Sequence, residues 1–126
     1  MTEQQFRQWL DAYEAAFEGR DPDAAAKLFT DDATYRWGPF GELLRGPEEI
    51  RAKWAASVDP GDTNVRCDLE ILLATPELGV ARWIASHERQ DEGKIVRYDG
   101  VFLVSLTDEG LCDSFREWWN TREDPL

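Results

Sequence analysis

Histidine, cysteine and methionine are scarce in this sequence, whose 126 residues include one histidine, two cysteines and one methionine. A zinc site of ordinary ligand type would need His87, both cysteines and a carboxylate to converge, so no metal site is expected. Cys67 and Cys112 occur without a secretion signal. We therefore expect reduced thiols in the core, with a disulfide between neighbouring strands as the alternative.

The sequence also lacks long apolar runs and an excess of basic residues. No apolar stretch approaches the length of a membrane span, and the acidic, amphipathic N-terminal residues resemble neither a signal peptide nor a transit peptide. The formal net charge of −12 repels phosphate backbones and anionic membranes. We expect a cytoplasmic protein without nucleic acid or membrane partners, folded as one domain over residues 1–126.

Aromatic residues, by contrast, are abundant. Six tryptophans in a chain that is 42% hydrophobic exceed what a core of this size needs. The surplus rings require a surface or a cavity to line, and apolar ligand pockets are lined by such rings.

Three helices are predicted in the first half of the chain. Thr2 and Gln5 can form a capping box for a helix over roughly residues 3–18, with an aromatic stripe on one face. Asp21-Pro22 begins a second helix that runs to about residue 29 and ends at Asp31-Asp32. Gly46-Pro47 opens the third. The expected buried residues of these helices include Phe6, Leu10, Tyr13, Phe17, Ile50, Trp54 and Val58.

Strands are predicted mainly in the second half. A short strand at 33–37 places Tyr35 and Trp37 on one face. Turn residues then separate four longer strands, near 64–74, 79–90, 95–107 and 111–120. The strand over 95–107 is apolar on both faces, with Phe102 on one and Val101 on the other. One face can cover the helices, and a second subunit is the simplest cover for the other, so a homodimer through the sheet is expected.

Three stretches resemble the nuclear-transport-factor-2-like superfamily and its SnoaL-like members. They are Tyr13–Thr34, the helix start Gly46-Pro47-Glu48-Glu49-Ile50, and the closing Asp108-Glu109-Gly110 with Phe115–Trp119. The resemblance spans nearly the whole chain. It implies an α+β fold in which a cone-shaped, curved antiparallel sheet wraps around three N-terminal helices and encloses a pocket. It does not specify a reaction, because this fold hosts isomerases, hydrolases, cyclases, dehydratases and binding proteins.

Ketosteroid isomerases provide one residue-by-residue comparison within that resemblance. They use a tyrosine on the first helix, which Tyr13 matches, and two acids on strands. Trp37 stands in the place of the catalytic base and Phe102 near the place of the second acid. The isomerase reaction lacks a proton carrier without that base, and this activity is not expected.

Limonene-type epoxide hydrolases provide the second comparison. Arg82 resembles their middle-strand arginine, Glu117 their last-strand acid and Tyr35 their first-strand tyrosine. Ile84 replaces their second acid and Trp37 their asparagine, so the pattern is half kept.

Strand alternation completes the predicted site. If Tyr35 faces the pocket, Arg82 and Glu117 would face it as well and form a buried ion pair. Each charge would need the other, because a buried charge without a partner is costly. We predict catalysis by Glu117 with Arg82 and Tyr35, and the predicted ligand-binding residues are Tyr13, Phe17, Trp37, Trp54, Phe102 and Trp119. Under this register, Trp83, Trp118, His87 and Asp99 point away from the pocket, with Trp83 and Trp118 at the dimer interface.

Two functions remain open at this level. The first is cofactor-free acid–base catalysis of isomerase, cyclase or epoxide-hydrolase type on a small, largely apolar molecule. The second is a non-catalytic small-molecule-binding or dimeric interaction module. In that case Arg82 and Glu117 form a structural salt bridge, and Tyr13 is a core aromatic.

Overall fold

Three helices and a six-stranded sheet make up the computed structural model, which describes residues 1–126. The helices are α1 (Glu3–Glu18), α2 (Pro22–Ala26) and α3 (Gly46–Ser57). The strands are β1 (Phe29–Arg36), β2 (Leu43–Arg45), β3 (Asp62–Ala74), β4 (Gly79–Arg89), β5 (Lys94–Leu106) and β6 (Cys112–Pro125), with a 3₁₀ turn at Gln90–Glu92. None of the helices combines the length and apolar character that crossing a bilayer requires.

The strands lie in the order β2-β1-β6-β5-β4-β3, in a curved sheet that does not close into a barrel. The predicted α+β fold is confirmed. The sheet is mixed rather than purely antiparallel, because β1 pairs with β6 in parallel while every other pair is antiparallel. Strand β2, which is not among the predicted strands, pairs with the end of β1.

Helix α1 spans the predicted residues and has the predicted capping box. The Thr2 backbone N–H donates to Gln5 Oε1 at 2.9 Å, and the Gln5 N–H donates to Thr2 Oγ1 at 3.1 Å. Its apolar face packs into the core, where Phe6 and Leu10 are fully buried. The helix thereby aims Tyr13 and Phe17 along the same side, toward the centre of the sheet.

Helix α2 is shorter than predicted. It ends at Ala26, and Phe29 already belongs to β1, where it pairs with Cys112 of β6. The predicted end of this helix at Asp31-Asp32 is wrong, because both aspartates lie within β1 at an irregularity in the β1–β6 register. Strand pairing and the burial of Phe29 outweigh the local helix propensity of this segment.

Helix α1 also covers the free edge of the sheet, β3. Glu18 Oε2 accepts a hydrogen bond from the Cys67 N–H at 2.9 Å, and Glu14 Oε1 accepts one from the Leu69 N–H at 3.1 Å. Arg7 Nη2 donates to the Leu69 carbonyl at 3.0 Å. The backbone groups of an edge strand that would otherwise be open to pairing thus have partners within the chain.

Both cysteines of the chain are free and buried.

Candidate functional site

A cavity of about 100 Å³ lies between the helices and the sheet. Most of its lining is aromatic, and the twelve lining residues are Tyr13, Phe17, Arg20, Tyr35, Trp37, Trp54, Ser57, Val58, Trp83, Tyr98, Glu117 and Trp119. They come from α1 and the residue pair that follows it, β1 and the residue after it, α3 and the residue after it, and strands β4, β5 and β6. The cavity therefore exists only in the complete fold.

Burial distinguishes a closed end from a mouth. Tyr13, Tyr35, Trp54, Trp83 and Glu117 are each 5% exposed or less and form the closed end. The remaining lining residues, which are half-buried or exposed, form the mouth: Phe17, Arg20, Trp37, Ser57, Val58, Tyr98 and Trp119. The cavity therefore has a partly exposed rim and a buried floor.

The aromatic wall is a continuous chain of ring contacts. Trp37 stacks on Tyr35 with 5.6 Å between ring centroids and meets Trp119 edge-on at 6.4 Å. Trp119 contacts Trp83 edge-on at 6.2 Å, and Trp83 stacks on Tyr98 at 5.4 Å. Contacts of this kind hold the rings in fixed orientations, so the wall is preorganised for an apolar ligand.

Glu117 is the only acidic side chain in the lining. It is 3% exposed and forms no ion pair with any residue of the chain. Burial raises the pKa of its carboxyl group to about 8, an effect that hydrogen bonding from Tyr35 partly offsets. At neutral pH the group is therefore mostly protonated and acts as a hydrogen-bond donor rather than as a buried anion.

Tyr13 and Tyr35 place two hydroxyl groups beside this acid. Burial raises the pKa of both tyrosines well above the usual value, and the nearby Glu117 raises both further. They therefore keep their protons at any physiological pH and serve as hydrogen-bond donors. The buried Trp54 indole N–H, whose interaction with the Tyr35 hydroxyl lowers the pKa of that tyrosine, is a third donor group at this end of the cavity. The floor is suited to an oxygen acceptor.

The predicted ion pair between Arg82 and Glu117 is wrong. Arg82 lies on the outer face of β4, and its Nη2 is 2.8 Å from Oδ2 of Asp99, with both side chains about half exposed. Ile84, on the same face, is 42% exposed. The sequence itself indicates this register, because Arg82, Ser86 and Glu88 alternate with the apolar residues that a buried face requires.

The inner face of β4 carries the residues that were predicted to point outward. Trp83 lines the cavity at 5% exposure, so the prediction that it lies at a dimer interface is wrong. His87 is 7% exposed, with Nε2 3.5 Å from Asp62 Oδ1, so the prediction that it lies on the outer face of the strand is wrong as well. Asp99 and Trp118 do point away from the cavity, as predicted.

Apart from Arg82 and Phe102, the structure brings all predicted site residues together around the cavity. Phe102 is fully buried behind the lining, 5.1 Å from Tyr13 and 5.2 Å from Trp83 between ring centroids. The sequence analysis missed Arg20 as a lining residue. Arg20 lies beyond the end of α1 and has a left-handed backbone, so helical spacing from Phe17 does not predict where its side chain lies.

Cofactor or metal ligands are not clustered in the fold. No three histidine, cysteine, aspartate or glutamate side chains are placed to hold a metal ion together. The groups with chemistry to offer in the cavity are therefore the Glu117 carboxyl, the tyrosine hydroxyls and the Arg20 guanidinium.

A family model described as the SnoaL-like domain matches residues 7–114, which is most of the chain. No curated protein matches the sequence.

Solved structures with the same fold include the epoxide hydrolase/cyclase-like enzyme SalBIII, which has a role in pyran ring formation in the polyether salinomycin. It is 19% identical with a TM-score of 0.75, over 94% of this chain and 92% of that one. A hypothetical protein of Catenulispora acidiphila with a ketosteroid isomerase-like fold, in complex with trimethylamine, is 21% identical with a TM-score of 0.73, over 88% and 84%. An LEH-like epoxide hydrolase of M. tuberculosis is 13% identical with a TM-score of 0.69, over 93% and 84%. Likeness at this level of identity shows the fold.

Proposed function

The chain belongs to the SnoaL-like domain family, and we propose that its cavity binds a small, largely apolar, oxygen-bearing molecule on which Glu117 acts as a general acid without a cofactor. The observation that carries the proposal is a buried carboxyl group with no cationic partner, on the floor of an aromatic cavity beside two tyrosine hydroxyls. The walls supply apolar contact for the ligand, and the floor supplies donors for its oxygen.

The protonation state of Glu117 supports this role. General acid catalysis is most effective when the pKa of the acid lies near the working pH. Burial raises the pKa of Glu117 to about 8, so the group holds a proton at pH 7 and can still release it. Tyr35, which interacts with Glu117, would help to stabilise the carboxylate left behind after proton transfer.

The lining favours an intramolecular rearrangement over hydrolysis. Hydrolysis requires a water molecule held and activated by a second group such as a carboxylate, and Glu117 is the only carboxyl group in the lining. In an epoxy alcohol, Glu117 would protonate the epoxide oxygen as its C–O bond breaks. An internal hydroxyl would form the new C–O bond, and its proton would return to the Glu117 carboxylate. The cyclase-like character of SalBIII is consistent with this choice.

The volume limits the ligand. About 100 Å³ is less than the roughly 150 Å³ of an engineered cavity that binds benzene. One ring or a short branched chain fills the closed end, and the remainder of a larger ligand would extend through the mouth. We therefore propose a substrate with a compact apolar head that carries the reactive oxygen.

A non-catalytic binding module is the second candidate. The single carboxyl group in the lining favours it, because most acid–base mechanisms divide the work between two groups. In that case the neutral Glu117 would recognise a ligand oxygen by hydrogen bonding and transfer no proton.

The two candidates are separated by the variant Glu117→Gln. The wild-type protein is incubated with a phenyl-substituted epoxy alcohol in water labelled with heavy oxygen, and the product is followed by chromatography and mass spectrometry. Cyclisation yields an unlabelled isomer, whereas hydrolysis adds labelled water. We expect the unlabelled cyclic ether, with the rate in E117Q reduced by at least about a hundredfold.

The matched control is Glu109→Gln, which removes a charge in an exposed turn far from the cavity lining. It should turn over like the wild type. Binding of the epoxy alcohol is measured by quenching of tryptophan fluorescence. If the wild type binds it but cyclisation is no faster than in buffer without protein, the catalytic proposal fails and the binding module stands.

Homodimerisation and a cytoplasmic location also remain proposals. The outer face of the sheet supports the dimer. Trp118 is 37% exposed and Ile84 is 42% exposed there. In the strand register, Val101 of β5 lies between Arg82 of β4 and Trp118 of β6. The three side chains form a partly apolar patch in the middle of the sheet.

A further inference from the structure

Arg20 is the only cationic side chain that lines the cavity, and its backbone is in an unfavourable conformation. Its φ of 50° lies in the left-handed region, which residues with a Cβ atom seldom adopt. Glycine is the usual occupant of this position at the end of a helix. Here Gly19 lies one residue earlier, in the right-handed conformation, and the strained position is occupied by arginine. Strain of this kind in a cavity wall suggests a function for the side chain it positions.

The guanidinium is held at the mouth by two contacts. It lies over the Phe17 ring, 5.2 Å from its centroid, and its Nη2 is 2.5 Å from Oδ2 of Asp62. The side chain is 19% exposed, so it is accessible to a ligand but partly removed from water. Its Nε–H is buried and has no hydrogen-bond partner.

The carboxylate of Asp62 is shared with other groups. Besides Arg20 it faces Nε of Arg89 at 3.6 Å and Nε2 of His87 at 3.5 Å, and it is 3% exposed. Burial lowers the pKa of His87, so this histidine is neutral at pH 7. Two guanidinium groups therefore face one buried carboxylate. Arg89 has additional carboxylate partners at the surface, whereas Arg20 has none.

We propose that Arg20 is a specificity residue that selects ligands bearing a carboxylate, which pairs with its guanidinium at the mouth while the apolar body lies among the aromatic rings. The inference rests on the proposed function only in requiring an apolar ligand in the cavity. The acidic net charge does not oppose it, because charges on the outer surface are screened by salt beyond about 10 Å. Glu117, neutral at pH 7, contributes no repulsion from the floor.

The test compares two ligands of nearly equal shape. Hydrocinnamate carries a carboxylate that is ionised at pH 7, and hydrocinnamamide carries a neutral amide in its place. Binding of each is measured by tryptophan fluorescence or calorimetry in the wild type, in Arg20→Met and in Arg89→Met. Arg89→Met is the matched control, because it removes the other guanidinium that faces Asp62 without changing the cavity lining.

We expect hydrocinnamate to bind the wild type about tenfold more tightly than the amide, as a charge-assisted contact at a partly exposed site allows. In R20M the preference should disappear, and in R89M it should persist. If R20M does not fold because Asp62 has lost its closest partner, the double variant R20M/D62N removes both halves of the ion pair and makes the same comparison.

The outcomes separate this inference from the function on which it rests. If the amide binds the wild type at least as tightly as the carboxylate, or if the preference survives in R20M, the role of Arg20 is refuted and the apolar pocket stands. If neither ligand binds, the proposed pocket itself fails, and the inference fails with it.

Discussion

Glu117 couples proton binding to folding, because its carboxyl group is buried without a cation to stabilise the charged form. The folded protein holds this proton up to a pH of about 8, whereas the unfolded chain releases it near the ordinary value of 4.5. Burial of an ionisable group of this kind is tolerated where a function uses its proton. Because the Glu117 proton is coupled to folding, its protonation state can be measured through the stability of the protein, without any ligand.

The stability of the protein should therefore fall as the pH rises from about 5 to 8. The folded-state pKa is raised above the unfolded value, so the stability associated with the Glu117 proton is fully present below pH 4.5 and is lost as the pH passes 8. The loss should be on the order of 3–5 kcal/mol. Urea unfolding at several pH values measures it.

Glu117→Gln serves as the reference for this measurement, because glutamine has a similar shape and does not titrate. The variant should lack this part of the pH dependence and should be more stable than the wild type above pH 8. Equal slopes in the two proteins would mean that Glu117 is ionised in the folded state, which would also remove its role as an acid.

Helix α1 and strand β3 form a second unit whose contribution can be tested. The double variant Glu14→Ala/Glu18→Ala removes both carboxylates that accept hydrogen bonds from the β3 backbone. We expect it to lose about 1–3 kcal/mol of stability, because each bond contributes about 0.5–1.5 kcal/mol. The exposed edge should also promote association through strand pairing.

Thermal unfolding and size-exclusion chromatography over a range of concentrations check both effects. Glu109→Ala, which changes an exposed turn, should match the wild type in each. A double variant that is as stable and as well dispersed as the wild type would show that water replaces the two carboxylates at no cost.

The elements also show which parts of this fold were predictable from the sequence. Capping residues and apolar spacing predict α1 to the residue, and alternation predicts the inner faces of β5 and β6. The inner face of β4 was predicted wrongly: alternation groups Arg82, Ile84 and Ser86 on one face of the strand, but it does not by itself say which of the two faces is buried. The pairing of β1 with β6 is non-local and has no signature in either segment.

The site was predictable to a similar degree. The inward positions of Tyr35, Trp37, Glu117 and Trp119 follow from alternation, because each strand has one face toward the helices. The inclusion of Arg20 depends on a left-handed backbone at a residue that rarely adopts it, which no propensity indicates.

At the scale of the whole molecule, the proposed dimer through the outer face of the sheet can be tested by Trp118→Arg. The substitution places a charge in the centre of the partly apolar patch around Val101. We expect the wild type to be a dimer by native mass spectrometry and light scattering, and W118R to be a folded monomer. The dimer should be lost in this variant because its interface would bury the arginine charge without a partner.

Phe40→Ser provides the control for loss of an exposed aromatic side chain, because Phe40 is fully exposed in the loop between β1 and β2, outside the sheet. This variant should keep the oligomeric state of the wild type. A wild-type protein that is monomeric at micromolar concentration would overturn the dimer, as would a W118R variant that still dimerises.

The pairing of β1 with β6 has a consequence for biosynthesis. Glu117 is translated long after Tyr35, so the floor of the cavity cannot assemble until β6 has emerged from the ribosome. Until then, β1 has only the short β2 as a neighbour in the sheet, and Phe29 and Tyr35 lack their contacts with Phe115 of β6. Nascent chains are therefore most vulnerable to aggregation just before β6 emerges, when a chaperone would have the most to protect.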